Sequence, residues 1–453
     1  MKGALRMKRL TAIYLIILFL LPLHGLADQV QSINEPWFSA RGENGLYGFI
    51  DRDGQWMIQP RYAYTDLCFT GDYVRVGMDE LGAADYEGVI DRQGNWVLPP
   101  EYSLYPMDYI GEGSEEGEGL LVVYPSKSGS RTEGYFDLDT GYFSGLSWHE
   151  VFHCYTESPL IAVVPEGTYA AGYTDRRTGE LVLPALYASV DPYLFHQGFV
   201  LTCYEDEDRY SDDYFLMDET GTVIPFPEGI HGHAGADACC GRIAIEDDNG
   251  LIGFADLNGR VIIPPQFDWV WDFAEDRAVV CFQEDDYGII DPEGNVLLRG
   301  LTGFWLTGYE NGLLTAEKDG IYRCFNLDGK ELPCIRPYSM TAGDSLYWMP
   351  SSEKSLGDPI NWTWLLADSN GNTLYGPCYL TYYAIDYHQC FTEGLQPVGD
   401  LEGHWGYINQ QGELVIDCVF DRAEPFRFGL AEVVKDGKMM YIDHDGTIVW
   451  EEK

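Results

Sequence analysis

One short pattern recurs along almost the whole chain, and it constrains the fold more than any other feature. It is plainest in Tyr47-Gly-Phe-Ile-Asp-Arg-Asp-Gly-Gln-Trp-Met-Ile-Gln-Pro60, in Ile252-Gly-Phe-Ala-Asp-Leu-Asn-Gly-Arg-Val-Ile-Ile-Pro-Pro265 and in Trp405-Gly-Tyr-Ile-Asn-Gln-Gln-Gly-Glu-Leu-Val-Ile416. Marked by its second glycine, the pattern returns at Gly54, Gly94, Gly141, Gly179, Gly221, Gly259, Gly294, Gly329, Gly371, Gly412 and Gly446, in steps of 34 to 47 residues. About eleven such units fill a chain of 453 residues and leave no room for a separate large domain.

Each unit has a physical reading. The run aromatic-Gly-aromatic-Ile-Asp is a short strand, and Asp-x-x-Gly after it suits a tight turn. Asp bonds the turn backbone, and Gly takes the positive φ that starts a return strand through a bulge. The return strand, such as Val261-Ile-Ile, is expected to stop at Pro264-Pro265, since proline has no amide hydrogen for the ladder. An aromatic-Asp segment follows (Phe267 to Phe273), then a third strand such as Ala278 to Phe282. No amphipathic helical stretch of useful length is present. A hairpin of this size cannot bury its own apolar face, so neighbours must stack. The expected fold is therefore all-β: a tandem array of about eleven hairpin repeats of roughly 40 residues. An open superhelix or solenoid is preferred, with one or more β-propellers as the alternative, because propellers typically close with about 4 to 8 blades. The aromatic stripe is read as core between units.

The arrangement resembles the WG-repeat family of bacterial proteins, named for a Trp-Gly pair at the start of the hairpin. Only Trp405-Gly406 is literal here; Tyr47-Gly48, Ile252-Gly253 and Tyr287-Gly288 keep the glycine behind another apolar residue. The pattern is specific in units one, two, six, seven and ten and weak over residues 134–240 and 321–395. The resemblance implies a repeated secreted or cell-envelope module with a binding role and no general catalytic motif.

Charge excludes other classes. With 73 acidic against 28 basic residues the net charge is -45, which repels phosphate backbones and argues against nucleic-acid partners. Hydrophobic residues make up 45% and aromatics 14%, too much for an acidic disordered chain. Residues 1–27 read as a signal peptide: Lys2, Arg6, Lys8 and Arg9, then an apolar run from Leu10 to Leu23, then Gly25-Leu26-Ala27. Its removal would take the charge to -49 and leave no membrane span. Residues 28–39 are expected as a short linker and 40–453 as the repeat array, in a secreted or cell-envelope protein.

Candidate chemistry is sparse. His149-Glu150-Val-Phe-His153 matches the H-E-x-x-H pattern of zinc hydrolases, which needs a helix to put both histidines on one face. In register, however, the segment falls on the aromatic-Asp part of the repeat. His231, His233 and Cys239, with Asp237 and Cys240 nearby, form a second candidate metal set at a spacing that matches no closed zinc pattern. Acidic turns such as Asp137 to Gly141 and Asp368 to Gly371 have calcium-loop flavour, but turn geometry explains the same residues. The glutamate-rich stretch Gly111 to Gly119 reads as an acidic loop. Eleven cysteines in no framework spacing read as small buried hydrophobes. The expectation is a non-catalytic binding or scaffold protein without a cofactor or assigned metal site, with a protein or glycan partner of basic character and loose binding of divalent cations. The alternative is a zinc-dependent metallohydrolase using His149, Glu150 and His153.

Overall fold

The computed structural model describes residues 35–453 except 79–85, 110–118, 126–131, 188–193, 206–213, 303–304, 311–312, 319–320, 333–338, 352–360, 387–389 and the single positions 153, 156, 284, 327 and 344. The expected signal peptide and the acidic loop, apart from Gly119, lie outside the described residues. The first strand, Trp37–Arg41, begins inside the stretch expected as a linker, because Phe38 and Ala40 are needed as core. The described structure is antiparallel β throughout, apart from one parallel two-stranded pair, with a single-turn helix at Tyr382–Asp386.

Turn chemistry works as the spacing predicts. All eleven marker glycines have positive φ, for instance +75° at Gly54 and +78° at Gly259. Asp51 Oδ1 accepts from the amides of Asp53 and Gln55 at 3.0 and 2.8 Å, and Asp256 does the same with Asn258 and Arg260. Just before each of these turns the register slips by a bulge, between Phe49 and Ile50 and between Phe254 and Ala255.

The prolines do not end the return strands, contrary to expectation. Val261–Phe267 and Trp56–Tyr62 run straight through Pro264-Pro265 and Pro60. The reason is a second bulge: Phe254 pairs with Ile263 and Ile252 with Phe267, so the prolines occupy extra residues that owe the ladder no amide. The first glycine of the pattern faces this bulge. A Cβ on Gly253 would lie 2.3 Å from the Ile263 carbonyl oxygen and 2.6 Å from the Pro265 nitrogen, and one on Gly48 would lie 2.3 Å from the Ile58 oxygen. Glycine in one strand and proline in the next are thus parts of one device. In unit nine Leu365 stands at the glycine position. There Gly376 sits on the opposite strand, 2.5 Å (from an added Cβ) from the Trp364 carbonyl, and restores the close approach from the other side.

A typical sheet has four strands, such as Trp269–Val270, Ala278–Cys281, Tyr287–Ile290 and Val296–Arg299. Elsewhere one long strand joins two units into a seven-stranded sheet: Trp96–Pro106 pairs with Glu87–Asp91 by its first half and with Leu120–Pro125 by its second. Successive side chains of the central strand point to opposite faces, and both faces are buried. Phe49 packs on unit two while Ile50 packs on unit eleven, and Met217 packs on unit four while Leu216 packs on unit six. This is why the strand runs are apolar without a polar alternation.

These faces form a continuous series of apolar clusters, each joining one hairpin to the next. The series does not stay open, as the preferred superhelix would. Phe38, Ala40 and Ile50 of the first unit form one cluster with Leu430, Met439 and Tyr441 of the last. The Tyr441 hydroxyl donates to the Ser39 carbonyl at 2.8 Å, and the Phe38 and Tyr441 rings lie 5.4 Å apart. The join follows the ordinary packing rule. At interior junctions the turn glycine of one unit sits on the return strand of the unit before, Gly294 on Ile263 and Gly446 on Ile416; at the join Gly54 sits on Val449 and Trp450. Closure hides both apolar ends of the stack, which an open array would expose to water.

Candidate functional site

The zinc-hydrolase segment is not helical. His149 and Glu150 belong to strand Trp148–Val151, where His149 is the extra residue of a bulge and Glu150 is exposed. The Val151 amide donates to Glu133 at 2.8 Å, tying the segment into its sheet. His153 lies outside the described residues. The helical face required by H-E-x-x-H is therefore missing, because the repeat register and cross-strand pairing impose an extended backbone.

His231 lies on the short strand Ile230–Gly232, while His233 Nδ1 is 2.9 Å from Glu246 Oε2. Cys239 is engaged in a backbone bridge with Arg242, and burial pushes its thiol up to about 12, with Asp272 and Asp237 adding to the effect. Around it the structure gathers residues from other units: the Asp237 amide donates to Asp272 at 3.1 Å, and His196 Nε2 lies 4.0 Å from Asp237. Burial raises the Asp272 carboxyl to about 6. Sequence reasoning missed His196 and Asp272. Register was the signal that could find them, since His196, Cys239 and Ala274 open equivalent bridged turns in successive units. Among the described residues, no group of three or more His, Cys, Asp or Glu is placed to hold a metal ion.

Those bridged turns are linked to one another. Glu157 accepts from the Gln197 amide at 2.7 Å, Gln197 from the Gly241 amide at 2.8 Å, and Glu393 from the Gly429 amide at 3.0 Å. The turn aspartates are similarly engaged: the Asn372 amide group holds Asp368 below the usual carboxylate range, and the Thr220 hydroxyl does so for Asp218. Their hydrogen-bonding capacity serves the backbone.

At the join between the last and first units the surface opens into a groove of about 340 Å³, lined by Arg41, Glu43, Asn44, Trp56, Gln59 and Trp450 among others. The two indoles meet edge to face, with centroids 6.0 Å apart at 88°. Asn44 is fixed in place: its Nδ2 donates to the Pro60 carbonyl at 3.2 Å and its Oδ1 accepts from the Leu46 amide at 3.1 Å. Arg41 Nε lies 3.8 Å from Glu452 and leaves nearly half of its side chain exposed. The first- and last-unit residues are close only because the stack closes.

No curated protein matches the sequence. Solved structures to which the chain shows some likeness include the computationally designed Ika8 protein (13% identity, 64% of this chain and 92% of that one, TM-score 0.30). A eukaryotic initiation factor has 11% identity over 75% and 94% of the two chains, with a TM-score of 0.39. BamB from Moraxella catarrhalis has 13% identity over 73% and 87%, with a TM-score of 0.27. In sequence, the model of the WG containing repeat matches residues 47–81, 88–105, 252–284 and 405–438. Those matches fall on hairpins whose strand glycine faces a bulge, and in these four regions the chain is similar to the WG containing repeat.

Proposed function

We propose that this protein is a non-catalytic binding scaffold of the secreted or cell-envelope compartment, presenting loops and grooves from a closed stack of β hairpins. The observation that carries the reading is how the polar turn residues are used. Asp51, Asp256, Asp368, Glu157, Gln197 and Glu393 spend their side chains on backbone amides within or between units. Residues committed in this way build a rigid frame, and a frame of repeated units with variable loops is suited to holding a partner. The partner is a protein or glycan. Export rests on the basic and apolar character of residues 1–27.

The test is metal analysis and hydrolase assay of the purified protein, with cell fractionation for the compartment. Expected are zinc well below one equivalent, a His149→Ala variant indistinguishable from the parent, and recovery outside the cytoplasm. Stoichiometric zinc lost on His149→Ala would replace the scaffold reading with a metallohydrolase. Calcium at about 1 mM is expected to leave the melting temperature unchanged, because Oδ1 of turn aspartates such as Asp51 and Asp256 is already engaged by backbone amides.

A further inference from the structure

We infer that the groove at the join of the last and first units is a binding site for a neutral oligosaccharide. The inference rests on the binding-scaffold reading and names the ligand class for one of its surfaces.

Three features of the lining point to this class. The first is the aromatic floor. Trp56 and Trp450, both half-buried, meet edge to face, so they offer a single indole face instead of two parallel ones. A planar base or aromatic ring gains most when stacked flat on such platforms. A sugar ring needs one face, against which its axial C–H bonds pack while its equatorial hydroxyls point sideways.

The second feature is the rim. Gln59, Asn44, Glu43, Glu451 and Arg41 carry planar amide, carboxylate and guanidinium groups. Such groups can engage two vicinal hydroxyls at once, as donor, acceptor or both. Gln59 is exposed and makes no hydrogen bond among the described residues, so its amide is available at the mouth. Asn44 is held by Pro60 and Leu46 and needs no reordering when a ligand arrives.

The third feature is charge. The chain as a whole carries -45, yet this groove is lined by two cationic side chains, Arg41 and Lys453, beside Glu43 and Glu451, with Glu452 at 3.8 Å from Arg41, so it is far less acidic than the rest of the surface. An anionic ligand would be repelled by the rest of the surface, and a basic one would find stronger attraction elsewhere on it. A neutral ligand loses nothing on either account. The volume of about 340 Å³ suits a few sugar rings and not a folded partner.

The test is calorimetric titration of the full chain with cellotetraose, chitotetraose and maltotetraose, beside a lysine-rich peptide as control. At least one saccharide should bind with a Kd below about 1 mM. Trp56→Ala should weaken it by about tenfold or more, and the exposed-site variant Gln59→Ala by several fold with an unchanged melting temperature. The second variant keeps the test sound if loss of the indole disturbs the join. No binding of any of the three at about 10 mM, binding indifferent to Gln59→Ala in a folded protein, or binding of the peptide alone would overturn the inference. Such a failure leaves the scaffold reading standing, since that reading is decided by zinc content and His149→Ala.

Discussion

The join between the last and first units and the junction between units six and seven are built by one rule under different circumstances. At the interior junction Phe254 meets Phe273 at 4.8 Å, and Gly294 rests on Ile263. At the join Phe38 meets Tyr441 at 5.4 Å, and Gly54 rests on Val449 and Trp450. Units six and seven follow one another in the chain, so Phe267 leads straight into Trp269 and proximity is assured. Tyr441 and Ser39 are separated by 402 residues, and their meeting depends on every junction between them. The junction of units six and seven is closed by Ile and Phe, while the join shares its buried tyrosine hydroxyl with other interior junctions, where Tyr135 donates to the Asp175 carbonyl and Tyr407 to that of Glu424. Side chains alone, without strand exchange between the two sheets, hold it shut.

That contrast can be broken most forcefully at the two phenylalanines. Phe38→Ala and Phe254→Ala should each cost about 3–5 kcal/mol in denaturant unfolding, since both are fully buried. The two should fail differently. Loss of Phe254 is expected to lower the whole transition, whereas loss of Phe38 should first expose strands Trp37–Arg41 and Ile448–Glu451 to hydrogen exchange. Matching exchange patterns for the two variants would show that the join has no separate opening.

Glycine substitutions come next in size. Gly54→Ala and Gly294→Ala place a Cβ at φ +75° and +83° against the preceding return strand. Both should lose roughly 1–3 kcal/mol from backbone strain and contact. Equal losses would establish that the join packs as an ordinary junction; a small loss at Gly54 alone would mark it as looser. Tyr441→Phe removes one buried hydrogen bond and is expected to cost about 1 kcal/mol at the join, read as a shift in denaturant midpoint.

The smallest effect belongs to the interior junction and depends on pH. Burial holds the Asp272 carboxyl up to about 6, above its value in an unfolded chain. Its contribution to stability is therefore full below about pH 4 and is lost as pH rises through about 6. Asp272→Asn should stabilise the protein by on the order of 1 kcal/mol at pH 7 and leave it unchanged at pH 4. Denaturant midpoints at the two pH values check this, and a variant less stable at pH 7 would show that the ionised carboxylate is favoured.

Much of the unit could be read from the residues. Asp51 and Gly54 specify a turn through interactions spanning four residues, and the short apolar run Tyr47 to Ile50 ahead of it marks a strand. The effect of Pro264 and Pro265 was misjudged because a lone strand cannot reveal that its partner carries Gly253 and a bulge. His149 to His153 matched a metal motif because a motif lists residue types without backbone geometry, and the backbone there is extended. The groove was invisible because Trp56 and Trp450 lie at opposite ends of the sequence. Asp272 and His196, each beside Asp237, could be found only by aligning equivalent turns.

By itself the sequence determined the hairpin, its turn, its glycine positions and the all-β stack, since these depend on contacts among residues close in the chain. Only the tertiary structure decided that the stack closes and that its join opens into a groove lined by two indoles. Closure depends on the sum of small rotations between successive units. No single unit encodes that sum, and a slight change at each junction would carry Tyr441 away from Ser39.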